Sequence, residues 1–276
     1  MLEFGTDKPD LRNPLRIVDT TDFFQRCTFK PFHGKTVRAI KVHADMSKGF
    51  HEKLLKFAQS IGMGGLGYLE VLEDKSYKGP IDKFIPDDMK QEIADIANLE
   101  VGDTIFFIAD TEEHAALYAG QIRNELGARL DLLEKNAYRF CFINDFPMFE
   151  YDKEAKKIIF THNPFSMPQG GLEALNTKDP RDILAYQYDI VCNGVELSSG
   201  AVRNHNLDIM VKAFEIAGYT EEDLKEKFGA LYNAFQFGAP PHAGMAPGVD
   251  RMIMLLRNEE NIREVIPFPM NGNAQD

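Results

Sequence analysis

The sequence has few cysteines and no long apolar run. Three cysteines, Cys27, Cys141 and Cys192, are scattered along 276 residues, and no two of them have the spacing of a metal site. Such usage is typical of buried free thiols in a reducing cytoplasm. Apolar runs of only a few residues exclude a membrane span, and the first residues lack the basic and apolar regions of a signal peptide. We expect a cytoplasmic protein with no membrane partner.

An excess of positive charge is also absent, because the formal net charge is −12. An acidic chain does not hold nucleic acid by bulk electrostatics. Any contact with RNA would therefore need local basic patches or polypeptide outside this sequence. The length allows one large domain or two ordinary ones.

Residues 16–139 show an alternating pattern of strands and helices. Strands are predicted at 37–43, 67–72 and 104–109 from alternating or continuous apolar residues. Helices are predicted over 51–61, after Pro86, and from a cap at Thr111 to about Leu126, where Gly127 would end the last of them. No cluster of catalytic residues is evident in this block.

The pattern changes after Tyr138. Residues 148–151 and 156–161 flank a polar turn, and residues 185–192 and 195–202 flank Asn193-Gly194, a strong hairpin signal. One helix is expected to open at Asn206 or Asp208, and another at Thr220. Antiparallel hairpins followed by helices indicate an α+β core, so we place a domain boundary near Tyr138.

The second hairpin brings two carboxylates together. A two-residue loop pairs Asp189 with Ser198 and sets Asp189 and Glu196 on one sheet face as diagonal neighbours. Hard oxygen ligands of this kind suit Mg²⁺, although two ordinary acids on a solvated face would show the same spacing. Strict alternation puts Ser199 and Arg203 on the opposite face, so we predict a bulge around 198–200 that returns both to the acids.

A second unusual segment, PPHAGMAPGVDR, occupies residues 240–251 just before an apolar run. Its glycines allow close approach of backbone to a ligand, and the helix start after it offers free N–H groups to an anion. Arg251 adds a cation suited to phosphate. Asp250 could orient Arg251 or simply cap the helix, and His242 and His205 could contact substrate or fill turns.

Residues 240–251 resemble motif 3 of class II aminoacyl-tRNA synthetases, in the aspartyl branch. Three further segments resemble the same branch: YDIVCNGVELSSGAVRNHN at 188–206, FTHNPFS at 160–166, and FGTDKPDLR at 4–12. The segment at 160–166 carries Asn163 where the family has a second histidine after the one matching His162. Without the resemblance, a lone histidine at a strand end would be read as structural.

The resemblance implies specific roles for these residues. Glu196 would bind Mg²⁺ linked to ATP, with Asp189 and Ser199 beside it, and the catalytic pair would be Glu196 and Arg251. Arg203 would hold the side-chain carboxylate of L-aspartate in a bidentate fork, with His162 close by. The ATP-binding residues would be Glu196, Gly248, Val249, Asp250 and Arg251.

The resemblance also implies a domain plan. Residues 1–14 would end the motif 2 region, and residues 15–138 would form the α/β insertion domain of bacterial-type enzymes, related to the GAD domain of tRNA-dependent amidotransferases. Residues 139–276 would form the C-terminal part of the antiparallel catalytic core. Motifs 1 and 2 and an anticodon-binding domain have no match here, so we expect a fragment, inactive alone, of a homodimeric enzyme.

The implied parent activity is ATP- and Mg²⁺-dependent formation of aspartyl-adenylate and transfer to tRNA. Three alternatives stay open at this point: a non-catalytic module that binds aspartate, nucleotide or a protein partner, a member of the asparaginyl branch, and a purely structural insertion module. Whether the parent would charge the asparagine tRNA as well as the aspartate tRNA is also open.

Overall fold

The computed structural model describes residues 1–273 and divides the chain into two compact units. The first comprises Met1–Arg139 and the second begins at Phe140. Both units combine helices with antiparallel sheet, which confirms the predicted α+β class. Within the described residues, no helix has both the length and the apolar composition that crossing a membrane requires.

The first unit is built on a five-stranded sheet in the order β1-β2-β5-β3-β4. Every pairing in it is antiparallel. The strands are β1 Ile17–Asp19, β2 Thr36–His43, β3 Gly67–Val71, β4 Tyr77–Lys78 and β5 Asp103–Asp110. The three strands expected from apolar patterning, β2, β3 and β5, are therefore confirmed within one or two residues.

Four α-helices accompany this sheet: α1 Thr21–Arg26, α2 Lys48–Ser60, α3 Lys90–Ala97 and α4 Glu112–Arg129. Thr111 caps α4 as predicted, because its side chain accepts a hydrogen bond from the backbone N–H of His114. The predicted stop at Gly127 is wrong, since the helix continues through it to Arg129. A Cβ at Gly127 would collide with the amide of Asn13, so close packing explains this glycine.

The two faces of the sheet are each covered by a separate apolar cluster. Phe23 and Phe24 of α1 and Ile93 of α3 pack on one face. Leu54 of α2 and Leu126 of α4 pack on the other. Residues buried on both sides explain the nearly continuous apolar run of β5.

The first fourteen residues pack against α4 and belong to the first unit. The buried Arg123 guanidinium donates to the backbone oxygens of Asp10, Asn13 and Leu15, and the Asn13 amide donates back to the Arg123 carbonyl. Burial lowers the pKa of Arg123 to about 10, which still leaves it charged at neutral pH. Carbonyl dipoles therefore offset the cost of burying this charge.

The second unit contains a four-stranded sheet in the order β11-β10-β9-β6 and a two-stranded sheet, β7-β8. Its strands are β6 Phe140–Asn144, β7 Phe149–Asp152, β8 Lys157–Phe160, β9 Gln187–Cys192, β10 Val195–Val202 and β11 Ala243–Pro247. Its helices are α5 Gly171–Thr177, α6 Leu207–Ile216, α7 Glu221–Phe235 and α8 Val249–Leu256. Both predicted hairpins are confirmed, as β7-β8 and β9-β10.

The two predicted helix starts in this unit are confirmed by their caps. Asn206 accepts hydrogen bonds from the backbone N–H groups of Asp208 and Ile209 at the start of α6. Thr220 and Asp223 form a reciprocal capping box at the start of α7. The core of this unit consists of two smaller clusters, one centred on Phe149 and Ala213 and one on Phe214 and Leu224.

Candidate active site

The β9-β10 hairpin is the framework of the candidate site. Asn193 and Gly194 both have positive φ, 51° and 84°, which is the geometry of the tight turn predicted from their identity. The turn fixes the first pairs, Cys192 opposite Val195 and Val191 opposite Glu196. Register is thus set locally by two residues that tolerate left-handed backbone.

A β-bulge at Leu197 interrupts this register. Glu196 lies opposite Val191, but the next pair is Ser198 opposite Ile190, so Leu197 has no partner on β9. The irregularity predicted near 198–200 is present, one residue earlier than expected. The predicted pairing of Asp189 with Ser198 is wrong, because the bulge moves Asp189 opposite Ser199.

The bulge puts four predicted site residues on one face of the sheet. Residues opposite each other in an antiparallel pair project to the same side. Asp189 and its partner Ser199 therefore share a face with Glu196, whose partner Val191 is two residues from Asp189. Ser199 and Arg203 also line one cavity. Without the extra residue at 197, the acids and Arg203 would point to opposite sides.

The start of α8 is joined to the same hairpin. The N–H of Gly248, the N-cap residue of α8, donates to the carbonyl of the bulged Leu197 at 2.7 Å. Arg251 donates from one guanidinium nitrogen to the Glu196 carbonyl at 2.7 Å and to the Glu196 carboxylate at 3.2 Å. Residues far apart in sequence therefore meet at Glu196, where cation and carboxylate hold each other in place.

Asp250 and Val249 occupy the first turn of α8, and both are exposed. Asp250 makes no hydrogen bond to Arg251 in the part of the chain that the structure describes. A carboxylate in the first turn is favourable toward the helix dipole. The position of Asp250 therefore supports a role in stabilising the start of α8 rather than in orienting Arg251.

A cavity of about 320 Å³ is lined by Ser199 and Arg203, whereas Asp189, Glu196 and Arg251 do not line it. Its polar lining comes from the side chains of Asn163, Ser199, Arg203 and His242, and from the backbone of β11. The lining contains no carboxylate. The Arg203 guanidinium lies 5.7 Å from the centre of the Phe165 ring and has no ion-pair partner among residues 1–273. A cavity with an uncompensated cation and no acid favours an anionic ligand.

His162 does not line this cavity. Its exposed ring packs edge-on against Phe146, with 5.0 Å between ring centres. The neighbouring Asn163, which stands where the family has its second histidine, lines the cavity instead. The structure therefore brings Arg203 and Asn163 to one cavity and leaves His162 outside its lining.

The chemistry of the donor set allows a divalent cation. The carboxylates of the buried Asp189 and of Glu196, with the Ser199 hydroxyl on the same face, are the hard oxygen donors that Mg²⁺ prefers. No group of three or more His, Cys, Asp and Glu residues suited to a metal occurs in residues 1–273. Two carboxylates fit Mg²⁺ that keeps phosphate and water as its remaining ligands, and do not make a closed protein cage.

Two contributors, Gly200 and Tyr188, are not among the predicted site residues. A Cβ at Gly200 would lie 2.5 Å from the Gly244 carbonyl oxygen and closer still to the Tyr188 ring. The Tyr188 hydroxyl in turn donates to that carbonyl at 3.0 Å. His242 lines the cavity, with Nδ1 donating to the Pro240 carbonyl at 2.8 Å. The Ser198-Ser199-Gly200 sequence of β10 predicts only a bulge, whereas His242 is one of the two histidines for which the sequence leaves a substrate contact open.

Nearly the whole chain matches one known protein family. The family described as tRNA synthetases class II (D, K and N) matches residues 1–272. The chain belongs to this family. Close to its whole length is therefore accounted for by one family of enzymes, including the residues that converge on Glu196.

Within the family, the chain is similar to curated aspartate–tRNA(Asp/Asn) ligases. The chain is 55% identical to the aspartate–tRNA(Asp/Asn) ligase of Ehrlichia canis (strain Jake), over all of this chain and 48% of that protein. It is 53% identical to the ligase of the same name from Gluconobacter oxydans (strain 621H), over all of this chain and 47% of that protein. The chain thus spans about half the length of the curated relatives it matches.

A solved structure, the aspartyl tRNA synthetase from Entamoeba histolytica, matches more remotely. Identity is 19% and the TM-score is 0.38, with 87% of this chain and 44% of that chain covered. Likeness at this level supports no statement about the site.

Proposed function

We propose that the chain carries the amino-acid-binding and nucleotide-binding part of an aspartate–tRNA ligase. In the reaction of the whole enzyme, the α-carboxylate of L-aspartate attacks the α-phosphorus of ATP, which gives aspartyl-adenylate and releases pyrophosphate. A hydroxyl of the terminal ribose of tRNA then attacks the aspartyl carbonyl and releases AMP. The names of the relatives extend the proposal to the aspartate and asparagine tRNAs. No protein nucleophile is needed, so the chain's contribution is positioning and charge stabilisation.

The observation that carries the proposal is the bulge at Leu197. It gathers Asp189, Glu196 and Ser199 on one sheet face, and it presents the Leu197 carbonyl to the start of α8. A register without this extra residue would separate the acids from Arg203. One local irregularity thus supports a common site for an amino acid and a nucleotide.

Recognition of aspartate is assigned to Arg203. A planar guanidinium without a protein counter-ion holds a carboxylate through two parallel hydrogen bonds. It discriminates against the amide of asparagine, which offers one oxygen in place of two. A role for His162 in binding aspartate stays a prediction, because His162 does not line the cavity that contains Arg203.

Recognition of ATP is assigned to the start of α8 and to Glu196. Arg251 is proposed to contact the phosphates, and Gly248, Val249 and Asp250 to form the backbone edge of the nucleotide site. Glu196, Asp189 and Ser199 would hold Mg²⁺. When bound there, the cation would neutralise phosphate charge. The Arg251–Glu196 pair would need to open partly, so that both groups can turn to the nucleotide.

The domain assignments complete the proposal. Within the first unit, residues 15–138 would be the bacterial-type insertion domain and residues 1–14 the end of the motif 2 region, and the second unit would be part of the catalytic core. The tRNA contacts and the dimer of the whole enzyme are also proposed from the family. The non-catalytic binding module is the competing function, and it would show ligand binding without chemistry.

Calorimetry of the 276-residue chain tests the proposal directly. We expect L-aspartate and Mg-ATP each to bind, R203Q to weaken aspartate binding at least about tenfold, and E196Q to weaken Mg-ATP binding while sparing aspartate. R257Q, at the exposed end of α8, is the matched control for charge. Absence of aspartate binding, or an equal effect of R203Q and R257Q, contradicts the proposal.

Aspartate-dependent exchange of pyrophosphate into ATP separates the two candidate functions. We expect exchange in a longer protein that contains this chain and the remainder of the relatives' length. R251K should reduce it, because an ammonium group cannot reproduce the planar fork. Binding of both ligands without any exchange in that longer protein would favour the non-catalytic module.

A further inference from the structure

The loop residue Asn163 has a fixed amide orientation. Its side-chain oxygen accepts the backbone N–H of Phe165 at 2.9 Å, and its own carbonyl accepts the N–H of Ser166 at 3.2 Å. A backbone N–H bonds only to an acceptor, so the oxygen of the amide is the atom turned to the loop. The other end of the amide, the NH₂ group, has no hydrogen-bond partner in residues 1–273.

Asn163 lines a cavity whose lining contains no carboxylate. Asn163 and Arg203 line the same cavity, and the Arg203 guanidinium is unpaired in the described part of the chain. The guanidinium can only donate, and the bond from the Phe165 N–H turns the Asn163 oxygen to the loop and leaves the NH₂ group as the outward end of the amide. The polar side chains of Asn163 and Arg203 therefore present donors and no acceptor.

We propose that Asn163 is a specificity-determining residue that donates to the side-chain carboxylate of bound L-aspartate, so that Asn163 and Arg203 together reject L-asparagine. The inference rests on the proposed function, because it takes aspartate as the ligand of this cavity. A carboxylate accepts from both groups. The amide of asparagine would turn its own NH₂ toward one of these donors and leave a hydrogen bond unmade.

The physical reason for the discrimination is the locked amide. A free asparagine side chain can rotate by 180° and present either oxygen or NH₂, so it would tolerate both ligands. The hydrogen bond from the Phe165 N–H holds the Asn163 amide in one of these two orientations without adding a charged group. His162, whose ring packs against Phe146, does not line the cavity.

The variant N163D tests this inference with little disturbance of the loop. Aspartate has the same shape and keeps an oxygen for the Phe165 N–H, but it turns an acceptor to the cavity where Asn163 turns a donor. We expect L-aspartate affinity to fall at least about tenfold and L-asparagine affinity to rise relative to it. N261D is the matched control, because Asn261 also accepts a backbone N–H, that of Arg263, and does not line the cavity.

Calorimetric titrations with L-aspartate and L-asparagine are compared for the wild-type chain, N163D, N163A, N261D and R203Q. Loss of aspartate preference in N163D with wild-type behaviour in N261D supports the inference, and N163A should weaken aspartate without favouring asparagine. An N163D chain that binds aspartate as tightly as wild type overturns it.

The same titrations distinguish this inference from the proposed function. If R203Q abolishes aspartate binding and the Asn163 variants do not change it, the function stands and the role of Asn163 is wrong. If the wild-type chain binds no aspartate, or if R203Q is silent as well, both are wrong. Circular dichroism of each variant shows whether an affinity change reflects folding.

Discussion

Phenylalanine is used in opposite ways by the two sheets. Phe106 and Phe107 on β5 of the first unit are each 1% exposed, whereas Phe140 and Phe142 on β6 of the second are 61% and 65% exposed. The sheet of the first unit is covered on both faces by its own helices. In the second unit, one face carries the polar residues of the candidate site, and at β6 no described residue covers the other.

This difference separates two uses of a sheet. The first unit buries apolar side chains on both faces, which is the arrangement that stabilises a domain without a ligand. The second unit places the buried Asp189 in its sheet, where an apolar residue would be more stabilising, and the proposed function assigns this part of the sheet to binding. We therefore expect substitutions in the core of the first unit to affect mainly its stability. In the second unit, substitutions where the strands pack closely should also affect the candidate site.

The largest effect is expected for L126A in the first unit. Leu126 on α4 is fully buried, and truncation should lower the free energy of unfolding by about 2–5 kcal/mol because it leaves a cavity. L117A is the control on the same helix, where the side chain is 46% exposed and the change should stay within about 0.5 kcal/mol. Hydrogen exchange over residues 1–139 measures both, and equal effects would contradict a two-sided core.

Much of this core was predictable from sequence, because apolar periodicity and helix caps act locally. Thr111, Thr220 and Asn206 were all identified as possible caps from residue type and position. The end of α4 was not predictable. A glycine at a helix end and a glycine pressed against Asn13 look the same in sequence, and only tertiary packing separates them.

The candidate site was predictable in kind and less so in detail. The Asn193-Gly194 turn fixes the register of its first pairs. A bulge was predictable because strict alternation would put Arg203 on the face opposite Asp189 and Glu196. The bulge lies at Leu197, whose carbonyl accepts a hydrogen bond from Gly248, more than fifty residues away, and apolar alternation along β10 cannot reveal such a contact. Asn163 lines the cavity, and His162 packs against the Phe146 ring instead. The sequence does not reveal this contact either.

The next largest effect is expected for G200A in the second unit. The added methyl group would overlap the Tyr188 ring and the Gly244 carbonyl, so β11 must move away from β10 at a cost of about 1–3 kcal/mol. G244A is the control in the paired strand, since nothing lies within 4 Å of a Cβ there. Denaturant unfolding measures stability, and calorimetry with aspartate measures the site. A G200A chain as stable as G244A would show that the strands do not approach this closely.

A pH-dependent effect is expected in the first unit. Burial lowers the pKa of His51 below its ordinary value of 6.5, and Glu70 offsets this only in part. As pH falls through 6.5, the unfolded chain binds a proton that the folded chain does not, so stability decreases toward acid. H51F keeps the stacking on Tyr68 and should flatten the dependence of unfolding free energy on pH between about 7.5 and 5.5. An unchanged slope would exclude His51 as its source.

The smallest effect on stability is expected for F142T on β6. Phe142 is mostly exposed, and threonine retains a β-branched side chain suited to a strand, so the unfolding free energy should change by less than about 0.5 kcal/mol. Self-association should decrease, because an exposed aromatic pair on a sheet face favours contact between copies. Sedimentation velocity at several concentrations measures this, and F107T in the buried core of the first unit should instead unfold that unit. A loss above about 1 kcal/mol in F142T would mean that this ring is covered in solution, and the contrast between the two sheets would then disappear.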